Sequence, residues 1–424
     1  MTVPDAVGGL DDEALGRWIR EQRWFGSKAR EVAAVNVLER QTLSEDPVLE
    51  VALVEARFHA GTHELYQLMP GEPRAAAVLG ELLAANAAVG DVAFHATGRP
   101  VGRARPVRAE QSNSSIVFGE EYVLKVFRRL EPGDNPELEM LRFLSTRGFE
   151  NVAALAGWYE LSGELMSATL GVLQDFVREA RDGWELALDD PLGVLARAQE
   201  LGEATGRMHS VLASDATDPA FAPEEPSSES LSLLTATIDE QIERVFLDLP
   251  DEPALAPIAG RGEEVRSHLQ LLSHVGVGGR IIRHHGDFHL GQTLLTDARW
   301  VILDFEGEPA RPLLERRRKR SPLRDVAGML RSFAYAASAS ELLRGDAAPE
   351  AWEEHARAAF LDGYLGAVEP TLLPAGQAAM EKLLSIFELE KAVYELRYEL
   401  NNRPDWVGIP VTGIARLLEG TAQP

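Results

Sequence analysis

The chain has 424 residues and no cysteine, and its 67 acidic against 42 basic residues leave a net charge of −25. Without cysteine there is no thiolate nucleophile, no cysteine-ligated zinc, no iron–sulfur cluster and no disulfide framework. So acidic a chain opposes nonspecific binding to nucleic acid or anionic membranes, but not an anionic substrate, because a local basic pocket or a bound cation overrules the global field. The length predicts about three domains, with cores that need no covalent staple. The N-terminal stretch lacks both a basic and an apolar signal region, and no run approaches the roughly 20 apolar residues of a membrane helix, which predicts a cytoplasmic protein.

Residues 11–25 carry Leu15, Trp18 and Ile19 at helical spacing, then Gln22, Arg23, Trp24 and Phe25. They predict a short amphipathic helix that closes over a partner surface. From about 31 to 70, three stretches with alternating apolar positions, separated by turn residues, read as strands. Residues 73–90 are Ala-rich and read as one helix. Residues 1–105 therefore read as an α+β unit of their own.

The next unit, 106–177, opens with two strands over SSIVFGEEYVLKVFRRL, joined by a tight turn at Gly119–Glu120. A helix follows, with Pro136 in its first turn and Gly148 past its end. One further strand is expected at about 169–177. Residues 178–424 are largely helical, with helices at 192–214, 232–247 and 260–275 and again from Pro322 onward, and the polar run 214–231 reads as a loop. Two apolar runs at 281–305 interrupt them. A small β-rich lobe before a larger helical one is a two-lobed α+β arrangement. No G-x-G-x-x-G follows a strand, so a dinucleotide-binding sheet is not expected.

The strongest chemical signal is His285-Gly286-Asp287-Phe288-His289-Leu290-Gly291-Gln292, followed by Asp304-Phe305-Glu306-Gly307. Phosphoryl transfer needs a base for the acceptor hydroxyl, a side chain nearby on the same loop to hold a metal, and a carboxylate to bridge metal and phosphates. Asp287 fits the first, Gln292 the second, and Asp304, at the end of an apolar strand, the third. His285 is expected behind the loop, holding its shape. A lone His-Gly-Asp more often marks a buried histidine beside a turn; the joint order and spacing reverse that reading. A metal site at His284, His285, Asp287 and His289 lacks the helical i, i+4 histidine pair of zinc hydrolases.

Lys125, charged inside the apolar strand Tyr122–Phe127, reads by itself equally as a solvated residue of an edge strand or as the grip on ATP phosphates, oriented by a glutamate of the next helix. Glu137 and Glu139 both lie there, and the reading takes Glu139, one place before Met140. The segment Gln111-Ser112-Asn113-Ser114-Ser115 stands where a phosphate-covering loop belongs, although it has no glycine before Gly119. Gln174-Asp175-Phe176-Val177 is the expected hinge, offering backbone groups to adenine.

These motifs resemble the aminoglycoside phosphotransferase-like branch of the protein-kinase fold, and within it the bacterial maltokinases. The resemblance also rests on Glu21–Phe25, Ala109–Ser115, Val123–Arg129, Asp304–Pro309, Ser321–Phe333, Glu390–Glu395 and Arg403–Trp406, and spans nearly the whole chain. It implies a kinase-like bilobal α+β fold with an extra N-terminal cap and a helical C-lobe. It also implies ATP- and Mg²⁺-dependent phosphorylation of maltose at its anomeric hydroxyl for α-glucan synthesis, with trehalose synthase as a possible partner bound in trans. A kinase for glucosamine or an aminoglycoside, and a noncatalytic scaffold for trehalose synthase, are the alternatives. For a sugar acceptor the candidate contacts are His289, Glu306, Glu308 and Arg311 near the loop, and Tyr394, Arg397 and Trp406 on later elements; taken singly, Tyr394 and Trp406 read more readily as core. Asp325 is expected to accept backbone amides of the catalytic loop. The run Arg316–Arg320 reads as a solvated or salt-bridged face, not a nucleic-acid site.

Overall fold

The structure is a computed structural model that describes residues 12–22, 24–28, 30–69, 75–98, 100, 102–107, 113–272, 278–308, 311–345 and 347–419. Contacts divide the chain into two compact units, 1–178 and 179–424.

In chain order the first unit comprises α1 (Asp12–Glu21), β1 (Val32–Glu45), β2 (Val48–Phe58), β3 (His63–Leu68), α2 (Ala76–Ala84), β4 (Ala88–Val89), β5 (Val92–Ala96), β6 (Ala104–Pro106), β7 (Ser114–Phe118), β8 (Tyr122–Val126), β9 (Arg129–Leu130), α3 (Pro136–Thr146), β10 (Leu155–Ser162) and β11 (Ser167–Asp175). Among the described residues these strands form two antiparallel sheets, ordered β1-β2-β3-β9 and β4-β5-β10-β11-β8-β7-β6. The expected cap, 1–105, thus shares each sheet with strands from 106–177. The amphipathic helix α1 does close over a surface: Leu15 and Ile19, one turn apart, pack with Phe25 on Val35, Val54, Phe58 and Tyr66.

Two expectations need correction here. The Ala-rich helix stops at Ala84, because Asn86 takes a left-handed φ of 48° that ends the turn, and residues 88–96 become the hairpin β4–β5. Alanine repeats favour a helix locally, but the sheet edge offered by β10 claims this segment. The second correction is β10 itself, a strand not anticipated, which lies between β5 and β11. Its small residues hide the alternation that the burial pattern shows. The expected turn between β7 and β8 is present, with φ of 56° at Gly119 and 59° at Glu120. So is α3, capped by Asn135, whose side chain accepts the Glu137 N–H.

The second unit comprises β12 (Arg181–Asp182), α4 (Gly183–Asp189), α5 (Pro191–Leu212), α6 (Ser228–Leu247), α7 (Gly262–Leu272), β13 (Thr293–Leu295), β14 (Trp300–Ile302), α8 (Leu313–Arg316), α9 (Leu323–Arg344), α10 (Trp352–Ala367), α11 (Gln377–Asn402) and α12 (Gly408–Glu419). It is mostly helical; the small sheet β12-β13-β14 is its strand content among the described residues. Helices α9 and α11 pack together through buried aliphatic faces and a ladder of polar pairs: Arg324–Glu390 at 2.6 Å, Arg331–Glu395 at 2.7 Å and Tyr335–Glu399 at 2.6 Å. No helix among the described residues is long and apolar enough to cross a membrane.

Candidate active site

The loop 283–292 runs between the bridge Ile282–Arg320 and β13, without a sheet to satisfy its backbone. Helix α9 supplies the partners. Asp325 accepts the N–H of His285 at 2.7 Å and of Gly286 at 2.9 Å, as the sequence reading expected, and Ser332 Oγ accepts that of Leu290 at 3.0 Å. Gly328 lies on the same helix face; a Cβ there would come within 2.6 Å of Phe288 O, so only glycine lets the loop lie this close. Asp325 is in turn held by His209 Nε2 at 3.0 Å, whose other nitrogen meets Tyr364 OH at 3.1 Å. His285 does pack behind the loop: Nε2 donates to Leu303 O at 2.8 Å, and the ring lies against Phe288 and Phe305.

The framework presents Asp287 to a cavity of about 310 Å³ within the second unit. One stripe of α11 lines it, Phe387, Glu390, Lys391, Tyr394 and Arg397, the i, i+3, i+4 spacing of a helix face. Lys391 Nζ lies 3.0 Å from Asp287 Oδ1 and 3.6 Å from Glu308 Oε1. Burial alone would raise the Asp287 pKa; Lys391 and then His289 outweigh it and hold the carboxyl below its ordinary value. Burial likewise opposes the charge on Lys391, and Asp287 and Glu308 reverse the effect, so its pKa is raised. Asp287 is thus an ionised carboxylate facing a cavity, the state a proton acceptor requires.

Gln292 and Asp304 come together because they flank the hairpin β13–β14, one just before its first strand and the other two residues past its second. Gln292 Nε2 donates to Asp304 Oδ2 at 3.3 Å. Asp304 adopts a φ of 61°, a left-handed conformation uncommon outside glycine and often found where a side chain must be aimed.

In the first unit, Lys125 Nζ lies 2.5 Å from Glu137 Oε2. The helix glutamate at the lysine is therefore Glu137, not Glu139. Two residues along a helix turns a side chain by about 200°, and Glu137 is the one buried, with 1% of its side chain exposed. Gln174 joins the same cluster. It sits inside β11, paired with Val123 and Leu155, and its side chain donates to Glu137 Oε1 at 2.9 Å. Its side chain braces the ion pair. Phe176 spends its N–H on Glu121 O at 2.8 Å. Asn113 and Ser114 hold Arg128, through its backbone N–H at 3.4 Å and its Nε at 2.9 Å, and Ser115 is buried in β7 opposite Lys125. Ser112 lies outside the described residues.

Of the expected acceptor contacts, Glu308, Arg311, Tyr394 and Arg397 line the cavity with Asp287. His289, Glu306 and Trp406 are not among its lining residues. His289 Nδ1 instead accepts the Gly291 N–H at 3.1 Å, the Glu306 carbonyl accepts from Arg316 at 3.2 Å, and Trp406 stacks on Tyr335 with ring centroids 6.2 Å apart. The basic run joins internal pairs, as with Lys319 and Glu224 at 2.6 Å. Sequence reasoning missed Lys391: it lies 104 residues from Asp287, and nothing along the chain relates the two. Its place in the Glu390–Glu395 segment, itself part of the resemblance, was the available signal.

Comparison with known proteins places these features. Residues 103–361 match the model of the phosphotransferase enzyme family, and residues 18–103 match that of the maltokinase N-terminal cap domain. A glucosamine kinase from Streptacidiphilus jiangxiensis is 29% identical over 360 residues, 79% of each chain. One from Mycolicibacterium smegmatis is 27% identical over 336 residues, 75% of this chain and 80% of that one. The solved structure of a glucosamine kinase in complex with glucosamine, ADP and inorganic phosphate shares the fold, with a TM-score of 0.72 at 22% identity, covering 98% of this chain and 99% of that one. With a maltokinase-type cap match ahead of a phosphotransferase match that covers the loop of Asp287 and the hairpin of Asp304, the chain belongs to the phosphotransferase enzyme family.

Proposed function

We propose that this phosphotransferase moves the γ-phosphoryl group of ATP to a hydroxyl of a neutral sugar, with maltose, phosphorylated at its anomeric hydroxyl, as the acceptor. The observation that carries the neutral acceptor is the pairing inside the cavity. Asp287 faces Lys391; Glu308 faces Arg311 at 2.5 Å; Glu315 faces Arg311 at 3.7 Å; Glu390 faces Arg324 at 2.6 Å; Asp325 is taken by the loop amides and His209. Each carboxylate lining the cavity already has a partner, with Arg311 serving two of them, and Arg397 adds a further cation, so donors and acceptors alternate around the space. Hydroxyls, which both donate and accept, suit such an alternating lining. A second reading, an amino-sugar acceptor, is favoured by the two glucosamine kinases among the relatives.

In this reading the acceptor hydroxyl lies against Asp287, which takes its proton as the oxygen bonds to the γ-phosphorus and the bond to the β,γ-bridging oxygen breaks, releasing ADP. Lys391 keeps Asp287 ionised until then. Lys125, steadied by Glu137 and Gln174, would grip ATP phosphates. Gln292 and Asp304 fit Mg²⁺, offering hard oxygen donors from side chains in hydrogen-bond contact; rotating the Gln292 amide presents its oxygen. When bound, the ion would neutralise phosphate charge. Trehalose synthase remains a proposed partner on the resemblance alone. The test is ATP consumption with Mg²⁺ against maltose, glucose, trehalose, glucosamine and kanamycin, with phosphorus NMR of the product. Turnover on maltose giving a 1-phosphate is expected; turnover confined to glucosamine or kanamycin would overturn the neutral acceptor.

A further inference from the structure

Four histidines surround the catalytic loop, and three have explicit work. His209 bonds Tyr364 and Asp325, His285 bonds Leu303 O and the Asp287 N–H, and His289 caps the Gly291 N–H. The fourth, His284, is 9% exposed and lines the cavity of Asp287 and Lys391, and its Nδ1 is buried without a hydrogen-bond partner. Buried polar atoms are almost always partnered, and an unmet one marks a place where a ligand or water completes the fold. Burial, reinforced by Arg324 and Arg320 against the pull of Asp325, pushes the ring's pKa down to about 3, so it carries one N–H donor and one bare nitrogen acceptor.

We propose that His284 is an acceptor-specificity residue, whose imidazole hydrogen-bonds one particular hydroxyl of the sugar held in this cavity. The proposal rests on the cavity being the acceptor site. A site built to bond a hydroxyl rejects an analogue that lacks it, because the site's own polar group is left unmet. The residue immediately before the His-Gly-Asp triplet would then select the sugar, while the triplet positions the base.

The test uses initial rates of the full chain with ATP and Mg²⁺ on the sugar that the wild type phosphorylates, and on its series of monodeoxy analogues. His284→Leu should raise the acceptor KM roughly tenfold, leave the KM for ATP unchanged, and lose discrimination against one monodeoxy analogue while keeping it against the others. His284→Gln should recover part of the loss. Should the leucine variant fold poorly, the glutamine variant and the sugar-induced rise in melting midpoint, smaller in the variant than in the wild type, carry the same test. Unchanged acceptor KM, or a uniform loss across all analogues, would overturn the proposal. The reading of Asp287 fails separately, on its own substitution, and the acceptor's identity fails on the sugar panel. The His284 series runs on whichever sugar that panel selects.

Discussion

The two units organise polar groups in opposite ways. In the first, strands satisfy one another's backbone, and buried side-chain polarity appears at Lys125 with Glu137 and Gln174 and where the two sheets meet. Gln67, fully buried, donates to Phe127 O at 2.7 Å and Leu170 O at 2.9 Å and accepts from Tyr159 OH at 2.9 Å. In the second, helices satisfy themselves internally, so the irregular catalytic loop must borrow side chains: Asp325 and Ser332 take its amides. A sheet can lose a side chain and keep its ladder, whereas the loop has no ladder to fall back on. Damage to the sheet core of the first unit, away from Lys125 and its partners, should therefore register as stability, and damage to the loop as activity.

The largest break is at the proposed base. Asp287→Asn should cut kcat about a thousandfold while the KM for ATP stays put, measured by steady-state kinetics; general bases contribute on that scale. Next comes the loop's anchor. Asp325→Ala should cost about 3 kcal/mol of stability, since it strands two buried amides and His209. Asp325 also carries a pH signature. Burial would raise its pKa, but His284 and His209 pull it well below the ordinary value. A depressed carboxyl contributes stability that is complete above the unfolded-state value, near pH 4, and is lost as pH falls below it. The wild-type melting midpoint should thus drop on acidification from about pH 5 to pH 3, and that of Asp325→Asn, lower to begin with, should drop less.

Gln67→Leu probes the other side of the comparison. It should cost about 2 kcal/mol by denaturant unfolding, because the Phe127 and Leu170 carbonyls and the Tyr159 hydroxyl each lose a partner, with the acceptor KM unchanged. The smallest stability change is expected from Gly328→Ala, about 1 kcal/mol of overpacking against Phe288 O. Because that contact displaces the loop, kcat should fall several-fold even so. Equal losses of kcat in Gln67→Leu and Gly328→Ala would erase the distinction between the units.

Much of the site was legible because kinase-type chemistry crowds its groups into short loops. Asp287, Gln292 and Asp304 fall within 18 residues of one another, and order and spacing make them candidates. The strands around Lys125 were equally clear, with a turn dipeptide between alternating runs. The choice between Glu137 and Glu139 was not, because both belong on the helix and the rotation that buries one is set by packing. The hairpin β4–β5 was hidden for a related reason, since its alanines carry a helical preference that a neighbouring strand overrides.

By itself, the sequence determined which chemistry this protein carries, since the residue types of phosphoryl transfer and the local periods that place them are properties of contiguous chain. The tertiary structure alone decided the partnerships. Lys391 with Asp287 and Gln174 with Glu137 join positions 104 and 37 apart, and His284 shares its cavity with residues of α9 and α11. No local pattern encodes such contacts, because the free energy that selects them comes from burying whole faces against one another.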